Sequence, residues 1–307
     1  MELTSPKIIK EILLKYETRA SKGLGQNFLI DKNVLKKFID SADIKPNDII
    51  LEVGPGIGTL TQELARWAGK VIAIEKDKKM CEILGETLKD FKNIKVINDD
   101  ILKIVNWNFI ENCKEPYGES ACGRQMKIEN YKVVANIPYY ITSPMIRKFL
   151  EAEKKPDFMV LMLQKEVAQR ICSKPPDMSL LSVSVQFYAE PKIISYVSKN
   201  CFWPSPKVDS AIIKITPHRD PFSDSAIRER VSDNFFKIVK AGFSQPRKQL
   251  VNNLAGLKFL NGVKLDKYKT AGWLLRNSIA PNQRAETLNV ADWLRLVEGL
   301  CFVDKKW

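Results

Sequence analysis

Short apolar runs and helical patterns alternate along the chain between residues 48 and 220. Runs that are apolar or β-branched nearly throughout are typical of strands that helices cover on both faces of a sheet. Two later runs, Leu181–Tyr188 and Ser210–Thr216, are predicted to be strands at an antiparallel edge. The pattern predicts an α/β fold with a doubly wound, mainly parallel sheet. Five runs are predicted to be its main strands: Ile49–Val53, Val71–Glu75, Ile94–Asn98, Lys132–Asn136 and Phe158–Leu163.

Helical patterns precede and follow this region. Ser5 as a cap and Pro6 in the first turn, followed by apolar residues at helical spacing, predict a helix at the N-terminus. A basic loop with glycines, Ser21–Leu29, leads to a second short helix around Val34–Ile39. Beyond Pro217 the strand signal stops and helical patterns continue. We therefore divide the chain into an N-terminal arm (1–47), an α/β domain (48–220) and a smaller all-helical domain (221–307).

The composition excludes several classes of protein. The 307 residues are 45% hydrophobic and 28% charged, which is unlike a disordered or fibrous chain. No apolar run reaches the ~18 residues of a membrane span and no signal-peptide core is visible, so we expect a cytoplasmic protein. The six cysteines are scattered without a Cys-x-x-Cys pair, and His218 is the single histidine. This usage predicts no metal site and no histidine-based catalysis.

The net charge of +13 suggests a polyanionic partner. A basic surface attracts nucleic acid, or less often an anionic membrane, although an excess of lysine also simply increases solubility. Residues 221–307 hold 15 Lys and Arg against 8 Asp and Glu, whereas residues 1–220 hold 34 against 28. The C-terminal part is therefore the more basic per residue, which indicates a separate surface for a polyanion.

A strand that runs into glycines and then into a helix lies at Leu51–Leu60. Gly54 and Gly56 permit a tight turn and close approach of the backbone to a ligand, and the helix start presents unpaired N–H groups. Glu75 closes the next strand about 20 residues later, where a carboxylate can accept both hydroxyls of a ribose. This combination fits NAD as well as S-adenosylmethionine.

Two further strand ends favour S-adenosylmethionine. Asp100 follows the third strand, where it can meet an adenine amino group, and Asn136-Ile137-Pro138-Tyr139 follows the fourth. In an open α/β sheet the ligand lies at the carboxyl ends of the strands, so these groups are expected to converge on one crevice. Ordinary loop carboxylates and a simple strand-end turn are the alternative interpretation.

The tetrapeptide Asn136–Tyr139 suits methyl transfer to the exocyclic amine of adenine. That nitrogen is a poor nucleophile because its lone pair is delocalised into the ring. The Asn136 carboxamide oxygen and the Ile137 carbonyl can both accept its hydrogens, which favours a pyramidal, more nucleophilic nitrogen. Pro138 has no N–H to repel the amine, and Tyr139 offers a ring on which the base can stack.

The same residues carry a resemblance to a known family. Over nearly its whole length the chain resembles the rRNA adenine N6-dimethyltransferases, and their small-subunit branch most of all. The resemblance implies a Rossmann-like methyltransferase domain at 48–220 that uses S-adenosylmethionine and a basic RNA-binding domain at 221–307. The matching segments are Gly25–Leu29, Glu52–Gly56, Ala73–Glu75, Ala135–Tyr140, Gln164–Ala168, Phe202–Ser210 and Pro281–Glu286.

The resemblance also implies roles for individual residues. Tyr139 and Phe202 would hold the flipped adenine between their rings, although Phe202 taken alone would be assigned to the core. They join Asn136, Ile137 and Pro138 in the predicted catalytic set. The predicted cofactor-binding set is Asn27, Leu29, Gly54, Gly56, Glu75, Asp100 and Asn136. The predicted RNA-binding set is Lys22, Arg247, Lys248 and Arg284, of which Arg284 could instead pair with a carboxylate inside the fold.

The activity that the resemblance implies is dimethylation of two adjacent adenines near the 3′ end of small-subunit rRNA, on an assembling subunit and by a monomer. One alternative is the antibiotic-resistance branch, which methylates large-subunit rRNA. A DNA adenine methylase would typically have a second proline in place of Ile137. A third alternative is an assembly factor that acts mainly by binding.

Two segments depart from the family pattern. Family members commonly carry paired basic residues where this chain has Pro246 before Arg247, which puts one RNA contact in doubt. The segment Val105–Asn130 is polar, rich in turns and longer than usual. We interpret it as a surface insertion, with altered RNA contact as the alternative.

Overall fold

The computed structural model describes residues 1–21, 23–104, 130–218, 225–257 and 265–301. Within these ranges nine strands, β1–β9, span Phe28–Leu29, Ile49–Val53, Lys70–Glu75, Ile94–Asn98, Lys132–Asn136, Met159–Gln164, Ala189–Val197, Phe202–Trp203 and Ser210–Pro217. Eleven α-helices, α1–α11, span Pro6–Lys15, Lys32–Ala42, Thr59–Trp67, Lys78–Thr87, Thr142–Glu151, Lys165–Ile171, Leu180–Tyr188, Ser225–Gly242, Leu250–Leu254, Lys267–Arg276 and Val290–Cys301.

Seven of the strands form one sheet in the order β4-β3-β2-β5-β6-β9-β7. The strands from β4 to β6 are parallel, and β9 runs antiparallel to β6. The predicted doubly wound, mainly parallel sheet is confirmed, and each of its five main strands begins within one residue of its predicted start. The antiparallel strand predicted at Ser210–Thr216 is also confirmed, but β7 and not β9 forms the edge of the sheet.

The order of the strands reverses between β2 and β5. The chain runs outward from β2 through β3 to β4, then returns to place β5 on the other side of β2 before continuing to β6. The two loops that leave the carboxyl ends of β2 and β5 therefore diverge to opposite faces of the sheet. A crevice opens between them, which is the usual ligand position in a doubly wound sheet.

The strand predicted at Leu181–Tyr188 is wrong, because this segment is helix α7. Its β-branched, apolar residues favour a strand by propensity alone. However, the Ser179 side chain accepts from the backbone N–H of Ser182, and the Ser182 hydroxyl accepts from the backbone N–H of Ser179, which together cap a helix. Val183 is buried among apolar side chains of the C-terminal helices, and this packing outweighs the strand propensity.

The chain forms two compact units. One contains Met1–Ala168 with Lys192–Pro217, and the other contains Gln169–Pro191 with His218–Trp307. The predicted boundary at residue 220 assigns Gln169–Pro191 to the α/β domain, whereas the structure packs this segment with the C-terminal helices because α7 contributes to their core. Each unit thus has its own set of buried apolar side chains.

The core of the second unit is rich in aromatic rings. Phe187 of α7 stacks on Phe235 of α8 with ring centroids 4.2 Å apart, and Trp293 of α11 is fully buried. Helix α11 starts with a reciprocal cap, in which Asn289 and Asp292 each accept a hydrogen bond from the other's backbone N–H. No helix in the described ranges is long and apolar enough to cross a membrane.

Candidate active site

A cleft lies at the carboxyl ends of β2, β3 and β5, within the first compact unit. The loop before β1 and the start of β8 form its other walls, because β1 pairs with β8 through Leu29 opposite Phe202 and Phe28 opposite Trp203. All the residues of the predicted catalytic and cofactor-binding sets line this cleft: Asn27, Leu29, Gly54, Gly56, Glu75, Asp100, Asn136, Ile137, Pro138, Tyr139 and Phe202.

The glycine turn after β2 lies directly against the tetrapeptide after β5. Gly54 has a φ of 69°, and a Cβ atom there would lie 3.3 Å from the Cδ atom of Pro138. Gly56 has a φ of 59°, and its Cβ would lie 3.1 Å from the ring of Phe28. Residues with a side chain rarely adopt a positive φ, and a Cβ atom at either position would fill the space between the loops. Glycine is therefore required at both positions.

Glu75 lines the cleft at the end of β3. Its Oε2 accepts a hydrogen bond from the backbone N–H of Gly56 at 3.1 Å, and its Oε1 accepts from that of Asp77 at 2.8 Å. The residue is only 7% exposed, and burial raises the pKa of its carboxyl above the ordinary value despite these N–H groups. Each carboxylate oxygen keeps a further lone pair for a ligand hydroxyl.

Asp100 forms an ion pair that sequence reasoning missed. Its Oδ2 lies 2.9 Å from Nζ of Lys76, which immediately follows Glu75, and its Oδ1 accepts from the backbone N–H of Leu102 at 3.0 Å. Burial works against ionisation, but the hydrogen bonds from Lys76 and Leu102 keep the pKa of Asp100 below its ordinary value. Lys76 also lines the cleft, so a ligand amine at Asp100 would meet this lysine.

Asn136 is oriented by the N-terminal loop. Its Nδ2 donates to the backbone carbonyl of Asn27 at 3.3 Å, and Asn27 Nδ2 donates to the carbonyl of Gly25 at 3.1 Å. A carbonyl can only accept, so it requires the NH₂ side of the Asn136 carboxamide and leaves the oxygen for another donor. The next residue is anchored in the sheet, because the Ile137 N–H donates to the Met162 carbonyl at 3.1 Å.

The two predicted base-stacking rings are both held at the cleft. The hydroxyl of Tyr139 lies 2.9 Å from the Ser210 hydroxyl at the start of β9, and burial raises the pKa of the tyrosine. Phe202 is 3% exposed and packs in the apolar core of the unit, but it also lines the cleft. Phe202 therefore belongs both to the apolar core and to the lining of the cleft.

Glu52 is an additional cleft residue without a predicted role. It is 1% exposed, and neither its Oε2 nor Oγ1 of nearby Thr61 has a hydrogen-bond partner in the described part of the chain. Burial raises the pKa of the Glu52 carboxyl to about 8. The sequence marks it as one of three acids near the ends of successive strands, with Glu75 and Asp100, and includes it in the matching segment Glu52–Gly56, but gives it no role.

Three of the four predicted RNA-binding residues are described in the structure, and none of these three lines the cleft. Arg247, Lys248 and Arg284 belong to the second unit and are exposed, as is Pro246. Arg284 lies 3.6 Å from the Glu286 carboxylate at the surface of its unit. Lys22 lies outside the described residues, as does the segment predicted to be an insertion, Val105–Asn130, apart from its last residue.

A comparison with known proteins decides the family. A sequence profile described as ribosomal RNA adenine dimethylase matches residues 3–300. The chain belongs to this family.

Curated relatives and solved structures agree with this membership. The "Ribosomal RNA small subunit methyltransferase A" of Dehalococcoides mccartyi is 44% identical over 94% of this chain and 90% of the relative. The protein of the same name from Alkaliphilus oremlandii is 41% identical over 97% and 98% of the two chains. The crystal structure of a dimethyladenosine transferase from Plasmodium falciparum is 27% identical over 91% and 98%, with a TM-score of 0.66. That of the 23S rRNA methyltransferase ErmE is 27% identical over 90% and 100%, with a TM-score of 0.65.

The cofactor of a ribosomal RNA adenine dimethylase is S-adenosylmethionine. The residues of the cleft fit this molecule. The buried Glu75 carboxylate has oxygens of the kind that ribose hydroxyls donate to, and the Asp100 carboxylate has oxygens of the kind that an adenine amine donates to. The turn from Gly54 to Gly56 leaves space that a Cβ would fill. In the described ranges no group of His, Cys, Asp or Glu is arranged to hold a metal ion.

Proposed function

We propose that the protein dimethylates N6 of two adjacent adenines near the 3′ end of small-subunit rRNA, acting as a monomer on an assembling small ribosomal subunit. The observation that carries the proposal is the Asn136 carboxamide. Its NH₂ group is held by the Asn27 carbonyl in the cleft where the strand order reverses. The oxygen that remains suits the hydrogens of an adenine amine. Asn27, Gly54, Glu75 and Asp100 are proposed to bind the cofactor.

In the proposed reaction the chain supplies positioning and hydrogen bonds. S-adenosylmethionine, when bound, supplies a methyl group on a sulfonium that needs no further activation. The Asn136 oxygen and the Ile137 carbonyl accept hydrogen bonds from the N–H groups that the amine has at each step, which directs the nitrogen lone pair into the cleft, and the proton that the methylated nitrogen loses passes to solvent. Tyr139 and Phe202 hold the flipped base, and the hydrogen bond between Tyr139 and Ser210 fixes the orientation of the tyrosine ring.

The similarity to named relatives supports small-subunit rRNA over large-subunit rRNA as the substrate. Relatives named for the small subunit are 44% and 41% identical over nearly the whole chain. The 23S rRNA methyltransferase ErmE is 27% identical over a similar share. The complete tetrapeptide Asn136–Tyr139 and the buried Glu75 also favour catalysis over a role in binding alone.

Product mapping tests the proposed substrate. The protein is incubated with labelled S-adenosylmethionine and with unmodified small or large ribosomal subunits, and the modified base is located by primer extension and mass spectrometry. We expect dimethyladenosine at two adjacent adenines near the 3′ end of small-subunit rRNA. Label in large-subunit rRNA would favour the antibiotic-resistance branch. Tight subunit binding without label would favour a non-catalytic assembly factor.

We further propose that the second unit grips rRNA phosphate while the first carries the chemistry. Residues 221–307 have a net charge of +7, from 15 basic and 8 acidic residues. Arg247 and Lys248 are exposed on the loop that precedes α9. Arg284 is a weaker candidate because Glu286 lies beside its guanidinium and competes with a phosphate.

Neutralising the basic pair tests this division. We expect Arg247→Ala/Lys248→Ala to weaken binding to small subunits. The slope of log affinity against log salt concentration should become shallower by roughly 0.7–0.9 for each phosphate that is no longer neutralised. The affinity for S-adenosylmethionine, measured by calorimetry, should not change. Lys36→Ala/Lys37→Ala on α2 removes the same charge from the other unit and is the matched control. Equal salt slopes for the two double variants would contradict the proposed binding of phosphate by Arg247 and Lys248.

A further inference from the structure

A lysine and an aromatic ring lie together at the surface of the first unit. Nζ of Lys165 is 5.4 Å from the centroid of the Tyr196 ring, a distance at which a cation and a π-system attract one another. Lys165 directly follows β6, and Tyr196 is the penultimate residue of β7. The tyrosine is 53% exposed, so part of its ring remains open to solvent. Neither residue belongs to the predicted catalytic, cofactor-binding or RNA-binding sets.

The backbone connects this pair to the candidate active site. Gln164, the last residue of β6, pairs with Ser210, whose hydroxyl lies 2.9 Å from the Tyr139 hydroxyl. The next residue, Lys165, donates its backbone N–H to the Asp209 carbonyl at 3.0 Å. Lys165 is therefore one residue beyond the strand pair that holds the tyrosine of the tetrapeptide.

The end of β7 reaches the same edge of the sheet. The backbone N–H of Lys199, two residues after β7, donates to Oδ1 of Asp209 at 3.0 Å. The chain then continues through a short 3₁₀ turn into Phe202, which lines the cleft. Tyr196 thus lies six residues before Phe202, on the segment that delivers this ring to the site.

The charge around the pair suits a polyanion. Lys192, Lys199 and Lys165 contribute three positive charges on or beside β7, and the first two are exposed. The acids on or beside the same strand are Glu166, Asp209 and Glu190. Asp209 is engaged with the backbone of Lys199, and Glu190 lies at the opposite end of β7 from Tyr196. An exposed aromatic ring next to basic side chains is the arrangement that proteins use to bind single-stranded nucleic acid, with the base on the ring and the phosphate at the cation.

We propose that Tyr196 and Lys165 hold an rRNA nucleotide that flanks the target adenine, with its base stacked on the tyrosine ring and its phosphate at the lysine ammonium. This proposal rests on the proposed function and adds a substrate contact on the catalytic unit. An enzyme that turns an adenine out of its stack must leave a neighbouring base exposed. Stacking on the Tyr196 ring replaces the base stacking that this neighbouring base loses when the adenine is turned out.

Steady-state methyl transfer to unmodified small subunits tests the proposal. We expect Tyr196→Ala to raise KM for subunits about tenfold, since stacking on one aromatic side chain contributes on this scale. The values of kcat and of Kd for S-adenosylmethionine should stay unchanged. Tyr196→Phe keeps the ring and should remain within about twofold of wild type. Trp67→Ala, which removes an exposed aromatic side chain from α3, is the matched control and should have no effect.

Lys165→Ala provides an independent variant in case Tyr196→Ala destabilises the fold. It should weaken subunit binding and make the slope of log affinity against log salt concentration shallower by roughly 0.7–0.9. The proposal is overturned if active Tyr196→Ala keeps the wild-type KM, if Tyr196→Phe is equally impaired, or if Lys165→Ala leaves the salt slope unchanged. A wild-type protein that methylates no small subunit would instead contradict the proposed function, so the two failures are distinguishable.

Discussion

Replacement of Asn136 by alanine is expected to reduce methyl transfer to rRNA by about 10²–10³-fold, the effect of removing one hydrogen bond made in the transition state. In the proposed mechanism the carboxamide oxygen accepts a hydrogen bond from the amine as positive charge develops on the nitrogen. Its loss should lower the rate constant of methyl transfer, measured in single-turnover reactions with saturating cofactor. Asn136→Asp keeps an oxygen in the same place but loses the NH₂ group that the Asn27 carbonyl requires, so it should be only partly active.

Glu75→Gln is expected to have the opposite pattern of effects, with cofactor binding changed more than turnover. The substitution removes one acceptor from the pair that the Gly56 and Asp77 N–H groups orient, and it is expected to weaken S-adenosylmethionine binding about tenfold or more. Turnover at saturating cofactor should fall much less. Calorimetric titration of the two variants side by side separates the roles. Near wild-type turnover by Asn136→Ala, or an unchanged Kd for Glu75→Gln, would contradict the respective assignment.

The second large effect concerns the stability of the fold. Glu52 is buried without a partner for its Oε2, and its pKa is raised to about 8 from an ordinary value of 4.5. Below pH 4.5 the carboxyl is protonated in both the folded and the unfolded chain, so its ionisation does not change the free energy of unfolding. As the pH rises towards 8, the unfolded chain releases this proton and the folded chain retains it, so stability is lost over this window.

Glu52→Gln should remove this pH-dependent loss. At about 1.4 kcal/mol per pKa unit, the free energy of unfolding of the variant should exceed that of the wild type by roughly 3–5 kcal/mol above pH 8. The advantage should shrink towards zero near pH 5. Chemical unfolding of both proteins in the absence of cofactor, at pH 5 and pH 8.5, measures the difference. A difference that does not change with pH would show that ionisation of Glu52 is not its cause.

The features that the sequence predicts correctly are those that local pattern determines. Parallel strands covered on both faces must be apolar throughout, and this rule located β2 to β6. A glycine turn followed by a carboxylate one strand later also lies within a short stretch of chain, so the positions of Gly54 and Glu75 in one cleft could be inferred. The strand-end rule then placed Asp100 and Asn136 with them.

The features that it missed depend on contacts between distant segments. The pairing of Leu29 with Phe202 joins residues 173 positions apart through a strand of two residues, which has no periodicity to detect. The ion pair of Lys76 and Asp100 depends on the register of β3 and β4. In α7 the local propensity was misleading, because the cap at Ser179 and the surrounding helical core decide its structure.

The contact between Gly54 and Pro138 has a consequence for how such an enzyme can evolve. The separation between the loop proposed to face the cofactor and the peptide proposed to face the target base is set by backbone and by a proline ring. Substitutions elsewhere in the lining can therefore change which RNA is accepted without altering the transfer distance. Specificity can therefore change during evolution while the chemistry is kept, whereas a side chain at Gly54 would press against Pro138.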